Sequence, residues 1–513
     1  MLGARCLPAA SAAQKRWVLA ASILGSSLAF VDGTVANVAV PAIQHALSAT
    51  VYQAQWVIES YALLLAALLL VGGSLGDLHG RRRVFFAGVA LFGAASLACA
   101  LSQTVHQLIA ARAVQGIGGA LLVPGSLALI SATFPQEERG KAFGTWAGFT
   151  GVTSGGGPLV GGWLIDHYSW AWAFAVNVPL ALLVLAITWA RVPESRDEAK
   201  SGTKLDVPGA LLATLALGGI VFAFIEAPTR GWRSLTVLFA LLLGVASLLA
   251  FIGVERVRPS PMLPLDLLRN RNFAGANLLT LLLYAALGGG LFFLPLNLIQ
   301  VQGLSATAAG AALLPFIVIM FALSRWAGGL VRTHGARLPL VVGPAIASGG
   351  FVLLALPGTQ ASYWTGFLPG ISVMGLGMAI AVAPLTTTVM NAVGPEASGT
   401  ASGVNNAVSR VAGLLAVAVF GYLMASLFEP RLEHALASSG LRRDVVESIW
   451  SQRDKLAAIS LPQGLPLHAA AAARDAVHRS FVAGYRWIMI VSAAMALASA
   501  AVAAVWIDRR GDR

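Results

Sequence analysis

The chain has 513 residues, 57% of them hydrophobic and only 11% charged, where an ordinary soluble domain is about 25% charged, so water cannot be its only solvent. Its apolar runs are continuous rather than alternating, which excludes a transmembrane β-barrel and leaves an all-α polytopic membrane protein, each span needing about 20 helical residues to cross a core of about 30 Å. The formal net charge of +12 would suggest nucleic acid in a soluble protein, but in a membrane protein the positive-inside rule is the simpler account.

The first run, Trp17 to Pro41, follows Lys15 and Arg16 as a signal peptide would. It exceeds the 7–15 residues of a signal h-region, so it reads as a retained helix. Further spans are expected at about 54–76, 83–102, 108–133, 141–165, 171–191, 207–226, 235–254, 273–298, 307–331, 338–356, 363–390, 398–426 and 481–506, fourteen in all. An even number puts both termini on one side. The loops of that side carry Arg81, Arg82, Arg83, Arg139, Lys141, Arg196, Lys200, Lys204, Arg256, Arg258, Arg269, Arg271, Arg332 and Arg337, while the short loops opposite carry only Arg230 and Arg233. This asymmetry predicts cytoplasmic termini and a cytoplasmic-membrane location. Segment 427–480 is the one long outer loop, of mixed charge, with room for a short helix or two. Cys6 and Cys99 form no disulfide framework.

The chain repeats itself weakly. "GSLGDLHGRR" (73–82) and "GGLVRTHGAR" (328–337) share Gly, Leu, His, Gly and Arg in register, each at the cytoplasmic end of a span. Such similarity between halves marks transporter folds built from repeated bundles. The expected organisation is a six-helix bundle over 1–191, two additional spans over 192–258, and a second six-helix bundle over 259–513.

Ionisable residues inside the spans are functional by default, because a charge in hydrocarbon costs roughly 2.5–3.5 kcal/mol or more. Asp32, in "LAFVDGTVANVAVP", lies nine residues before Pro41, about 13 Å from that helix end, too deep for a short side chain to snorkel. Glu59 enters the second span at similar depth, where burial and a nearby acid favour the protonated form. Glu226 lies closer to the outer end of its span. Arg112, in "LIAARAVQGIGGA", is the natural counter-charge to Asp32, since arginine stays charged. In the turn "GSLGDLHGRRR", Gly73, Gly76 and Gly80 permit a tight turn and close helix approach. Asp77 can cap the next helix or pair with a basic group, and Arg81 and Arg82 complete the loop. "GVTSGGGPLVGG" (151–162) has six glycines and one proline. It lacks the Gly-Lys-Ser/Thr ending of a nucleotide loop, so it reads as part of a span. Gly157 and Gly161 share one helix face and admit a close neighbour, Gly162 widens that patch, and Pro158 predicts a kink near 154–158.

Together these residues resemble the major facilitator superfamily, and within it the fourteen-span drug:proton antiporters of the EmrB/QacA type. The resemblance rests on "GSLGDLHGRRR", "LIAARAVQGIGGA", "GGGPLVGG", "FVDGTVANVAVP", "WAWAFAVNVPLAL" and "ERVRPSPMLPLDLLRNRNF" in that chain order, and covers nearly the whole chain. It implies a role in proton coupling for Arg112 and an antiporter role for the span-five glycines. Leu78 stands where the family loop is often basic, Thr153 where a glycine is frequent, and Arg332 where the second copy of the loop often has an acid.

The expected function is proton-driven export of small amphiphilic organic compounds by alternating access, with a proton site at Asp32, joined by Glu59. The alternative is an uptake or symport protein for a nutrient or organic anion. There is no H-E-x-x-H and no Walker loop, so no enzyme, no ATP-driven pump, and no cofactor or metal is expected. The expected partners are the substrate, protons and the lipid bilayer, with no nucleic acid. The resemblance also permits a periplasmic adaptor and an outer-membrane channel.

Overall fold

The computed structural model describes residues 11–195, 206–258, 261, 263–393 and 398–508. The expected cytoplasmic residues Arg196, Lys200 and Lys204, and the side chain of Arg332, lie outside the described set. The described residues form helices and no strand. In chain order the α-helices are α1 (Ala12–Ala46), α2 (Val51–His79), α3 (Arg81–Ala100), α4 (Val105–Thr133), α5 (Gln136–His167), α6 (Trp172–Ala175), α7 (Asn177–Arg191), α8 (Val207–Arg230), α9 (Leu235–Val257), α10 (Arg271–Leu296), α11 (Ala306–Ala311), α12 (Leu314–His334), α13 (Arg337–Leu354), α14 (Leu368–Asn391), α15 (Ser398–Ala437), α16 (Arg443–Trp450) and α17 (Leu467–Trp506).

Several starts are written locally. Ser11 with Gln14, Thr50 with Gln53, and Thr104 with Gln107 form capping boxes at α1, α2 and α4, each satisfying backbone donors that the first turn leaves free. Asp206 caps α8, Asn270 caps α10 and Ser305 caps α11.

Among the described residues twelve helices are long and apolar enough to cross a membrane, or thirteen when the bent α2 counts as one span. The expected fourteenth is α5. It has 32 residues, ample length, but its glycines leave it less apolar than the others. The long outer loop is also shorter than expected. Both α15 and α17 run to 40 residues and project past the expected ends at 426 and 481, leaving 438–466 between them. Helix hydrogen bonding continues wherever packing protects it, so a helix need not stop where hydrocarbon does.

In the first part of the chain α1 packs on α4, α5 and α7, α2 on α4, and α3 on α4 and α7; in the last part α10 packs on α15 and α17, α12 on α14, and α13 on α14 and α17. Helices α8 and α9 pair closely, and α8 also touches both α2 and α15. Leu235, Phe239, Leu242 and Leu249 of α9 are exposed, the surface expected of a helix facing lipid. Contacts fix the faces. Lys15 of α1 bonds Glu138 at the start of α5 at 2.8 Å, and Asn272 at the start of α10 bonds Asp508 beyond α17. The far end of α5 meets α11 through Asp166. Both ends of the described chain therefore share one face, here termed the terminal face; segment 438–466 lies on the opposite, loop face.

The two parts meet tightly on the loop face. A Cβ at Gly162 would collide with Ala306 O, one at Gly310 with Pro158 O, and one at Gly155 with the Ile317 side chain, so α5 meets α11 nearly backbone to backbone and packs against a side chain of α12. Asp166 accepts from Ala306 N at 3.0 Å and Thr307 N at 2.7 Å, and Gln300 donates to Gln44 at 3.0 Å. The 3₁₀ turn Arg453–Ala458 touches α1, α2, α15 and α17, with Leu456 buried at φ 55°. Toward the terminal face α5 keeps its bonds to α1, but the face that carries Gly155 stands free: no neighbouring atom lies within 4 Å of a Cβ built at Gly144, Gly148 or Gly151. The molecule is closed on the loop face and open on the terminal face.

The span-five glycines divide their work in a way that spacing alone does not reveal. Gly157 and Gly161 do share a face, but it meets α1, at Thr34 and Val35. Gly162 does not widen that patch; it faces α11. Helix α5 is continuous through Pro158. The carbonyl of Ser154, which Pro158 cannot serve, lies 3.0 Å from the Thr34 hydroxyl, a side-chain repair of the kind membrane helices use.

Gln44 is buried in the closed seam, which makes it a reporter. In a protein with Cys6 and Cys99 replaced, Gln44→Cys is expected to react slowly with a membrane-impermeant thiol reagent, and several-fold faster once Gly162→Leu pries α5 from α11. Unchanged labelling of a well-inserted double variant would show that Gly162 does not hold this face shut.

Candidate functional site

Asp32 is 1% exposed and sits inside the first group of helices, not at the seam with the second. Its partners come from two neighbours. Arg112 Nη1 of α4 pairs with Oδ2, while Gln115 Nε2 of α4 and Asn177 Nδ2 of α7 both donate to Oδ1, at 2.8 and 2.9 Å. Gln115 also bonds Ser96 of α3 at 2.8 Å. Arg112 is itself held from several sides. Its Nε donates to Val57 O of α2 at 3.0 Å, Nη1 reaches Gln115 Oε1 at 2.6 Å, and the Tyr61 and Phe174 rings lie 4.2 and 5.5 Å from its guanidinium carbon. Six helices, α1, α2, α3, α4, α6 and α7, thus converge on one buried ion pair. Such a pair stays together only if its remaining polar atoms are served, and here amides and a carbonyl serve them.

Helical spacing explains the convergence. Arg112 and Gln115 are three residues apart and so lie on one face of α4. That face can approach α2 because a Cβ at Gly116 would stand 2.5 Å from Tyr61 O.

Glu59 is 0% exposed, and among the described residues neither carboxylate oxygen has a hydrogen-bond partner. It does not join Asp32. It lies one helical turn after Gln55, whose Nε2 donates to Val417 O of α15 at 3.2 Å, so both belong to the α2 face that meets α15. Glu226 lies elsewhere: it pairs with Arg230 at 2.7 Å near the end of α8, an i,i+4 pair of the kind that stabilises exposed helix ends by a few tenths of a kcal/mol.

The turn between α2 and α3 is built around Gly80, at φ 109°. A Cβ there would also meet the Glu194 carboxylate at 2.7 Å. Arg81 pairs with Asp77 at 2.9 Å. Arg82 N donates to Glu194 Oε1 at 3.1 Å, and its guanidinium donates to Trp189 O at 2.8 Å. Gly73 and Gly76 meet only ordinary neighbours, whereas a Cβ at Gly72 would collide with Ala120 O. The close approach of α2 to α4 therefore falls to Gly72. The second copy of the motif repeats the turn, with Gly335 at φ 75° between α12 and α13.

Sequence reasoning missed Gln115, Asn177, Thr34, Gly72, Glu194, Asp166 and Arg410. An amide within an apolar run signals Gln115 and Asn177. Nothing local signals Glu194 or Asp166, whose partners stand more than a hundred residues away. Arg410 of α15 projects toward Phe30 of α1, with its guanidinium carbon 5.9 Å from the ring.

The chain's relatives have the same architecture. The model of the Major Facilitator Superfamily matches residues 22–417. Multidrug resistance protein Stp of Mycobacterium tuberculosis is 34% identical over 436 residues, 84% of this chain and 80% of that protein. The tetracenomycin C resistance and export protein of Streptomyces glaucescens is 31% identical over 500 residues, 97% and 92% of the two chains. Among solved structures, a bacterial homologue of the human lysosomal transporter Spinster, inward-facing and unoccupied, superposes with a TM-score of 0.65 at 18% identity, covering 98% of this chain and 99% of that one; at that identity it speaks for the fold alone. With a matching family model over most of its length and export proteins among its full-length relatives, the chain belongs to the Major Facilitator Superfamily.

Proposed function

We propose that this protein is a proton-coupled antiporter that exports small amphiphilic organic compounds across the cytoplasmic membrane. It is a transporter, not an enzyme, and its relatives carry names of drug resistance and export. The observation that carries the coupling is the pair of buried carboxyls in opposite situations: Asp32 with every oxygen bonded, Glu59 with none.

In this reading α5 is the fourteenth span, and the architecture is of the EmrB/QacA type. Residues 1–191 and 259–513 are the two six-helix bundles, with 192–258 as the additional pair. The terminal face is cytoplasmic, as the arginine-rich loops require. The described state then takes up cargo from the cytoplasm or inner leaflet. Glu59 lies in the α2–α15 seam, which closes the outer side. An ionised carboxylate without a partner is costly there, whereas a neutral acid is tolerated. When the seam parts, Glu59 meets outside water. Proton binding then favours reclosure, because it removes the charge that the seam cannot hold. This is the differential effect on two states that coupling needs; driven export also requires that the proton then leave toward the cytoplasm, so that Glu59 is free to ionise when the seam next parts. Asp32 acts more deeply: its protonation would loosen Arg112 from α1 and so alter how α1, α2 and α4 pack. Glu226, in its own ion pair, is assigned no share in proton movement. The turn carrying Gly73, Gly76, Asp77, Gly80, Arg81 and Arg82 fixes the cytoplasmic ends of α2 and α3 as the bundles rock, and the span-five residues Gly157, Pro158, Gly161 and Gly162 hold α5 to α1 and α11.

Everted vesicles test the cycle. Asp32→Asn and Glu59→Gln should each lower pH-gradient-driven accumulation at least tenfold; Glu59→Gln, which keeps the closed seam neutral, should still allow cargo exchange without a gradient. Wild-type rates of driven export in either variant would remove that residue from the proton path, and accumulation in the opposite direction would indicate uptake instead.

Arg112→Ala should behave differently, as a stability defect. It leaves Asp32 buried without its counter-charge, at a cost of about 3–5 kcal/mol. Thermal unfolding of the detergent-solubilised variant should begin well below that of wild type, and Asp32→Asn in the same chain should restore part of the loss.

A further inference from the structure

Arg410 lies twelve residues into α15, about 18 Å along the helix at 1.5 Å per residue, where Asn405, Asn406 and Ser409 give way to the apolar run that starts at Val411. Arginines at such depth face a bundle interior or a wet cavity and are normally paired. Arg112 obeys that rule. Arg410 does not: among the described residues its guanidinium makes no hydrogen bond and no ion pair, and its neighbours are the ring of Phe30 and the phenol of Tyr61. It is half-buried as a residue and stands where α15 of the second group faces α1 and α2 of the first.

The walls around it are aromatic and firmly held. Phe30 packs edge to face on Trp146 of α5, ring centres 6.3 Å apart, and the Trp146 indole nitrogen donates to Ser26 Oγ at 3.1 Å. Phe149, three residues further along α5, is 58% exposed, on the stretch that stands clear of α12. On α15 itself Asn406, one turn before Arg410, is exposed. Thus one unneutralised cation, a fixed aromatic pair and an adjoining amide border the side of the molecule that is open. A fork of donors beside an aromatic wall is suited to a planar anion.

We propose that Arg410 is the residue that selects cargo charge: it binds the carboxylate or ionised phenol of an aromatic, polycyclic compound whose rings lie on Phe30 and Trp146. This deepens the export reading and rests on it for direction of movement, but not for binding. The missing counter-ion of Arg410 is then the cargo itself. An empty site leaves a lone charge to be enclosed when the open face closes, and a filled one does not, so occupancy favours closure.

Fluorescein and rhodamine 123 share a xanthene core and differ in charge, which makes them a matched pair of probes. Their equilibrium binding to the purified full-length protein in lipid nanodiscs needs no gradient. Wild type should bind fluorescein at least tenfold more tightly than rhodamine 123. Arg410→Gln should erase that preference, weakening fluorescein at least tenfold while leaving rhodamine 123 within about twofold, and Arg410→Lys should restore part of it; equal thermal unfolding of all three proteins excludes misfolding as the cause. No preference in wild type, an unaltered preference in Arg410→Gln, or an equal loss of both dyes overturns the proposal, the last pointing to a general structural or coupling role. If the binding pattern holds but a pH gradient drives neither dye in vesicles, the site stands and the export reading falls.

Discussion

A charge buried in a membrane protein must find its partner within the protein, and the Asp32–Arg112 pair meets that requirement in a way that organises the whole first group of helices. Arg112 cannot shed its proton, so α4 can enter hydrocarbon only with an acceptor at that depth. Asp32 supplies it from α1. Both side chains then need further bonds, and these recruit Gln115, Asn177, Ser96 and the Val57 carbonyl. The packing of α1, α2, α3, α4 and α7 follows from satisfying one cation. A buried pair of this kind contributes little net stability over an apolar substitute; in the proposed cycle its use is a second arrangement when a proton reaches the carboxylate.

The same economy governs the backbone. In lipid no water rescues an unmet carbonyl, so wherever a helix is interrupted a neighbour must respond. Pro158 leaves Ser154 O free and Thr34 lies in reach of it; α11 begins abruptly and Asp166 takes up its first amides. Both repairs join α5 to another helix, the first to α1 and the second to α11. Glycines make the approach possible. Helix α5 is therefore attached to its own group by Gly157 and Gly161 and to the opposite group by Gly155 and Gly162, a hinge element with two distinct faces on one short segment.

Much of this was legible in the sequence, and the limits are instructive. Span positions follow from apolar runs of the right length. The Asp32–Arg112 pairing follows from the rule that intramembrane charges seek each other, and the Gly80 and Gly335 turns follow from a repeated motif. Span ends were less legible, because α15 and α17 continue on protein contacts rather than on hydrophobicity. The glycine stretch shows the sharpest limit. Spacing states which residues share a face of α5, but not which helix that face meets, so Gly157 and Gly162 read as one patch although they serve different neighbours. Glu194 and Asp166 were invisible for a related reason: each takes its importance from a backbone segment distant in the chain, and nothing in its own surroundings marks it.

Arg112 and Arg410 show how far context outweighs residue type. Both are arginines in the apolar part of a span, at the same formal charge. One is enclosed by a carboxylate, one amide, a carbonyl and two rings; the other stands beside Phe30 and Tyr61 with no bonded partner among the described residues. Arg112 is enclosed together with its carboxylate, so in the proposed cycle it responds to the protonation of Asp32 rather than to cargo. A cation with unfilled donors has the opposite property. Glu59 completes the set as an acid without a base, lodged in the seam that must open. In the proposed cycle the three charges remain separate because each sits on a different contact: Asp32–Arg112 within one group of helices, Glu59 between α2 and α15, Arg410 at the open space between the groups. Proton and cargo then need not compete for a single carboxylate; each acts through the same movement by changing the charge on its own surface.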